Sequence, residues 1–183
     1  YLSKLFGNFS LSIQDICEIG ILVGMALVLD LPMFKIKVGS SGGSISFSCL
    51  PLIVLALRKG FAKSFLGCGI IYGFISCLLD GYGLFTYPFD YLLGFGAVSV
   101  VGLFNNLIFS KKKTSIVFLI IGILLFGVLR LFAATLSGMI FYGLSFDASL
   151  IYQAIYVGPS LGICLACSII LYPVIARINK RFK

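Results

Sequence analysis

Asp90 is the one charge in "YPFDYLLGFGAVSVVGLF", residues 87–104, and Arg130 is the one charge in "FLIIGILLFGVLRLFAATLSGMIF", residues 118–141. An ionised group in such surroundings is costly, on the order of 2.5–3.5 kcal/mol for a central arginine on insertion scales, so it is retained where it faces a cavity, a partner or water. Two readings stand for Asp90. It follows Pro88 in the first turn of a helix, where the helix dipole favours a carboxylate, or it is the counter-ion of a ligand. Arg130 either snorkels to a surface or lines a cavity. Tyr82, Tyr87 and Tyr91 around Asp90 fit an interfacial aromatic belt as well as a binding face. Catalytic and metal chemistry find no support. The chain has no histidine, no nucleophile is set beside a base, and Cys164 and Cys167 of "CLAC" lie in an apolar run where cysteine acts as a small hydrophobe. No cofactor is expected.

The elements that must position these groups are membrane helices. Of 183 residues 60% are hydrophobic and 11% charged, far below the roughly 25% charge of a soluble domain. Continuous apolar runs, rather than alternating ones, exclude a closed barrel. Measured against the ~20 residues needed to cross the hydrocarbon core, the runs predict six helices, at about 13–34, 47–58, 64–80, 88–109, 114–140 and 148–176, in one membrane domain spanning 1–183. The second is short and follows a glycine-serine stretch, "KVGSSGGSISFSCLP", expected to be a flexible lid or linker. That stretch lacks the closing Gly-Lys-Ser/Thr of a P-loop, and no such motif occurs elsewhere in the sequence, so the chain is not expected to use ATP itself.

Charge sets the expected orientation. Eleven of the fourteen Lys and Arg (Lys4, Arg58, Lys59, Lys63, Lys111 to Lys113, Arg177, Lys180, Arg181 and Lys183) fall on one side, and only Lys35 and Lys37 on the other. Both termini are therefore expected in the cytoplasm. Asp30, Asp80, Asp90 and Asp147 lie near the outer ends, Asp15 and Glu18 near the inner one. The net charge of +8 is a consequence of this topology and does not point to nucleic acid.

"GSISFSCLPLIVLALRKGFAKSFLGCGIIYGF" followed by "FDYLLGFGAVSVVGLF" resembles the thiamine-specific substrate-binding subunits, or S-components, of energy-coupling-factor (ECF) transporters. The Leu-Pro start of helix two, the Leu-Arg-Lys-Gly stop, the Tyr-Gly of helix three and the acidic-Tyr pair opening helix four occur in the family's order. "RLFAATLSGMIFYG" and "YQAIYVGPSLG" look like its fifth and sixth helices. The resemblance runs from about residue 15 to 175 and is most specific from Gly43 to Phe104.

What the resemblance implies is an all-α, six-helix protein of the bacterial cell membrane. It would bind a vitamin near the outer face, and its partners would be a transmembrane coupling subunit and two cytoplasmic ATPases. Gly20 and Gly24 of "EIGILVGMA" match the small-residue pair through which family members meet the coupling subunit, although such spacing also serves ordinary helix packing. The implied substrate-binding residues are Asp90, Tyr91, Arg130, Tyr72, Tyr142 and Tyr152, with Tyr72 and Tyr142 standing where tryptophans are usual and Arg130 where a lysine is. Ala134, Val157 and Gly42 replace a usual histidine, asparagine and aromatic. The expected ligand is thiamine or a close relative, a cation suited to aromatic faces and a carboxylate. An S-component for a different vitamin, or a membrane scaffold without a ligand, are the alternatives.

Overall fold

The computed structural model describes residues 10–38, 43–110 and 114–181; Lys4, Gly42, Lys111 to Lys113 and Lys183 lie outside the described residues. Helix α1, Ile13–Leu29, opens on a reciprocal cap: Ser12 Oγ accepts from the Asp15 amide and Asp15 Oδ2 from the Ser12 amide, both at 3.1 Å. It was expected to run to 34 and stops at Leu29. Pro32 disfavours helical geometry at the residue before it, so the chain turns at Asp30. Ile19, Val23 and Ala26 face inward, while Ile13, Ile21 and Met25 are exposed, an apolar outer face of the kind lipid accepts.

The glycine-serine stretch is partly structured. Strands β1, Ile36–Val38, and β2, Gly43–Ile45, pair antiparallel with Ile36 opposite Ile45, so an all-α description needs this two-stranded addition.

The next helical stretch, α2, covers Cys49–Asp80, yet it is not one rod. Gly60 has φ 74° and ψ −173°, a conformation open to glycine, and the chain doubles back there. Cys68 Sγ lies 3.9 Å from the Leu52 carbonyl, whereas sixteen residues of straight helix would separate them by about 24 Å. The first leg, 49–59, is the central post: Leu52, Ile53, Leu55, Ala56 and Leu57 are all buried. A helix enclosed on every side is apolar all round, which is why its sequence shows a short continuous run. Five charges fix the reversal to the start of α1. Arg58 donates to both oxygens of Glu18 at 2.9 and 2.7 Å, Lys59 lies 2.8 Å from Asp15 and 3.0 Å from Glu18, and Lys63 lies 2.6 Å from Asp15.

Helix α3, Leu84–Ile108, packs on the second leg of α2 along a glycine seam. A Cβ on Gly69 would stand 3.0 Å from the Leu92 carbonyl oxygen, and one on Gly73 3.0 Å from that of Tyr91. Both helices locally widen to π-helical turns, at Leu66–Tyr72 and Tyr87–Leu93. Helix α4, Ser115–Tyr142, ends on left-handed Gly143. Helix α5, Phe146–Arg181, carries Pro159 and Pro173 without ending. Both begin close to their expected starts. Helix α3 starts at Leu84, where the run suggested about 88. Four stretches, Cys49–Asp80, Leu84–Ile108, Ser115–Tyr142 and Phe146–Ile178, are long and apolar enough to cross a membrane.

Candidate ligand cavity

At the end of the bundle opposite the Asp15 network, α1, α2 and α4 finish, α3 and α5 begin, and the hairpin lies alongside. These elements enclose a cavity of about 440 Å³, within the range of small-molecule sites. One face of α4 supplies Arg130, Ala134, Gly138 and Tyr142, each four residues after the last. At 1.5 Å per residue they form a ladder about 18 Å long, with Arg130 at one end and Tyr142 at the other. Helix α5 adds Tyr152, Gln153 and Tyr156, and the hairpin adds Gly43, Ser44 and Ser46.

Asp90 lines the cavity and accepts a hydrogen bond from Ser137 Oγ at 2.6 Å. Its carboxylate is thus directed across to α4. Among the described residues no Lys or Arg nitrogen comes within 4 Å of it. Arg130 does not pair with Asp90: its guanidinium carbon sits 4.3 Å from the centroid of the Phe95 ring, and Nη1 donates to Cys49 Sγ. A cation over an aromatic face is worth about 0.5–2 kcal/mol depending on desolvation, and this contact occupies one face of Phe95.

Of the other expected residues, Tyr91, Tyr142 and Tyr152 line the cavity. The Tyr91 hydroxyl donates to Asp80 Oδ2 at 3.1 Å, and the Tyr152 hydroxyl accepts from the Gly43 amide at 3.1 Å. The second bond fixes β2 to α5. Tyr72 is fully buried and stands behind the wall, edge-on to Phe95 with centroids 4.7 Å apart. Ala134 lines the cavity and Val157 does not. Gly20 and Gly24 lie on α1 away from the cavity, and a Cβ on either would meet no atom within 4 Å; the pair packs against no other part of the described chain.

Sequence reasoning did not assign Phe95, Gln153, Tyr156, Asp30 or Asp80 to this wall. Gln153 donates to the Ala134 carbonyl at 3.1 Å and accepts from the Tyr156 hydroxyl. Lys35 reaches Asp80 at 3.0 Å and Asp30 at 3.7 Å. Burial pulls the ammonium of Lys35 towards neutrality, but its two carboxylate partners outweigh this and hold its pKa above the ordinary lysine value. The whole arrangement offers three carboxylates, of which Asp90 has no ion pair within 4 Å among the described residues, against Lys35 and the Arg130 guanidinium, together with several aromatic faces and hydroxyls. It can hold an organic cation with polar substituents.

Residues 16–182 match the family model described as thiamine transporter protein (Thia_YuaJ). The thiamine transporter ThiT of Bacillus subtilis (strain 168) is 28% identical over 194 residues, which span 96% of this chain and 99% of that protein. The structure of ThiT from Listeria monocytogenes aligns with a TM-score of 0.67 over 92% of this chain and 94% of that one, at 23% identity. At that identity the likeness speaks for the fold.

Proposed function

The chain belongs to the thiamine transporter protein family, and from that premise we propose that it is the S-component of an ECF transporter, capturing thiamine or a close relative in the cavity walled by α3, α4, α5 and the hairpin. The observation that carries the reading is Asp90: a cavity-lining carboxylate with no cationic side chain within 4 Å among the described residues, set among Tyr91, Tyr142, Tyr152 and Tyr156. A thiazolium cation supplies the missing charge, and aromatic faces favour it over water. Tyrosine provides a weaker face than tryptophan but adds a hydroxyl for the ligand's polar groups.

In this reading the chain crosses the membrane six times as a single domain, the two legs of α2 each counting once, with both termini in the cytoplasm. The basic residues support that orientation, and it places the cavity at the outer face. The chain then performs no chemistry of its own. Uptake needs a coupling subunit, which we assign to the open Gly20 and Gly24 face of α1, and two ATPases that supply the energy. A second reading, an S-component for another vitamin, draws on Arg130, whose position on the cavity wall suits a ligand with a carboxylate or phosphate.

Native mass spectrometry of the protein released from mild detergent or nanodiscs separates these readings. A bound species with the mass of thiamine, absent from Asp90→Asn, is the expected result. A different vitamin supports the second reading, and repeated preparations without any small molecule favour a scaffold.

A further inference from the structure

Lys35 is one of the two residues that break the segregation of basic charge along the sequence, and the structure gives it a place in the wall. Its side chain is only 9% exposed, with Nζ 3.0 Å from Asp80 Oδ1 and 3.7 Å from Asp30 Oδ1. The second oxygen of each carboxylate is also engaged: Ser76 donates to Asp30 Oδ2 and Tyr91 to Asp80 Oδ2, both at 3.1 Å. Burying an ammonium is unfavourable unless carboxylates compensate it and further hydrogen bonds complete the set, and here both conditions are met. Asp90 differs: it accepts from Ser137 and has no Lys or Arg nitrogen within 4 Å among the described residues, with Arg130 on the same cavity wall as its longer-range cation.

The charges around the cavity can be counted. Asp30, Asp80 and Asp90 line it, as does Arg130, and Lys35 stands against the first two. Three carboxylates against two cations leave one negative charge. Without Lys35, two adjacent carboxylates would offer a second pole of attraction for cations.

We infer that Lys35 is the internal counter-ion that sets the cavity's charge: by cancelling one of the two charges of the Asp30–Asp80 pair it holds the cavity at one net negative charge and makes the site select a singly charged organic cation over a doubly charged one. Lys35 acts through the two aspartates and is a positioning residue. The inference rests on the reading that the cavity takes a cationic ligand. It goes further by stating which charge the ligand carries and which residue enforces it.

The test compares Lys35→Met and Lys35→Arg, each alone and combined with Asp90→Asn, in the full chain in nanodiscs, by calorimetric titration with thiamine. Asp90→Asn is expected to weaken thiamine binding at least about tenfold, and adding Lys35→Met to recover about tenfold, because the freed aspartates restore the lost charge. Lys35→Arg, which keeps the cation, recovers nothing. The uncharged hydroxyethylthiazole fragment is indifferent to the series. A residue that merely ties down the hairpin behaves oppositely: Lys35→Met then weakens thiamine in both backgrounds, which overturns the inference. Putrescine, a diamine, gives a readout independent of thiamine. Lys35→Met is expected to bind it where wild type does not, and no binding by the folded variant overturns the inference even if wild type proves not to bind thiamine, a result that would separately remove the proposed function. Melting temperatures establish folding, and Lys35→Gln carries the same expectations should Lys35→Met not fold.

Discussion

Replacing Asp90 with asparagine removes one charge from the cavity and little else. Asparagine keeps a carbonyl oxygen in place of Oδ2, so Ser137, now 2.6 Å from the carboxylate, retains an acceptor. Asp90 was expected in the first turn of its helix, but α3 begins at Leu84 and places it in the π-helical turn Tyr87–Leu93, one turn further in, so losing its negative charge costs no more than the low end of about 0.3–1 kcal/mol through the helix dipole. Its observed partner is on α4, so the helix start depends on it only weakly. Binding responds on another scale. Truncating one member of a desolvated, hydrogen-bonded charge pair costs about 2–5 kcal/mol, roughly thirtyfold to a few thousandfold in Kd. Asp90 is half-buried, which places the expected loss in the lower half of that range. Titration calorimetry with thiamine measures the affinity, and a thermal melt of the same sample measures the stability. An Asp90→Asn protein whose Kd stays within about twofold of wild type while its melting temperature falls would refute the counter-ion role and leave the carboxylate with a structural role alone.

Enlarging Gly20 and Gly24 to leucine is expected to leave thiamine binding and melting temperature near wild type, since a Cβ at either meets no atom within 4 Å, while uptake by cells carrying the complete transporter falls; normal uptake at normal expression would contradict the docking role. Tyr72→Phe keeps the ring against Phe95 and should hold thiamine affinity within a few fold, whereas Tyr72→Ala, emptying a fully buried position, should cost about 3–5 kcal/mol of stability by analogy with other aromatic truncations; a large affinity loss in Tyr72→Phe would show that its hydroxyl serves the ligand. In a cysteine-free background, a membrane-impermeant thiol reagent added outside cells should label cysteines placed at Gly83 and Phe146 but not at Ala62 or Ser110, and labelling at Ser110 would overturn the orientation.

The parts of this fold legible in the sequence are those set by local chemistry. The Arg58-Lys59-Gly60 stop predicts the reversal because charge favours the membrane surface and glycine alone tolerates the backbone there. Pro32 also carries a local signal, and weighing it against the apolar run would have ended α1 earlier. The hairpin was hidden because Ile36–Val38 and Gly43–Ile45 are three residues each, too short for an alternating pattern. In the site, Asp90 and Arg130 stand out as charges in apolar runs, and both line the cavity. Phe95 and Tyr156 do not stand out, since an aromatic residue in a membrane helix looks the same whether it faces lipid, core or ligand. Tyr156 does have a faint signal, one turn beyond Tyr152. The Lys35–Asp80 pair had none: forty-five residues separate the two, and only the packing of α2 against the loop brings the charges together. Gly20 and Gly24 were ambiguous between packing within the chain and docking, and the space around them excludes packing against the rest of the described chain.

Thiamine titration of the wild-type protein, stripped of co-purified ligand and returned to nanodiscs, tests the central claim most directly. The account predicts saturable one-to-one binding that quenches or shifts tyrosine fluorescence, is competed by close cationic relatives of thiamine and weakens markedly in Asp90→Asn. A folded protein that shows no saturable response to thiamine, or that binds wild type and Asp90→Asn alike, would contradict it.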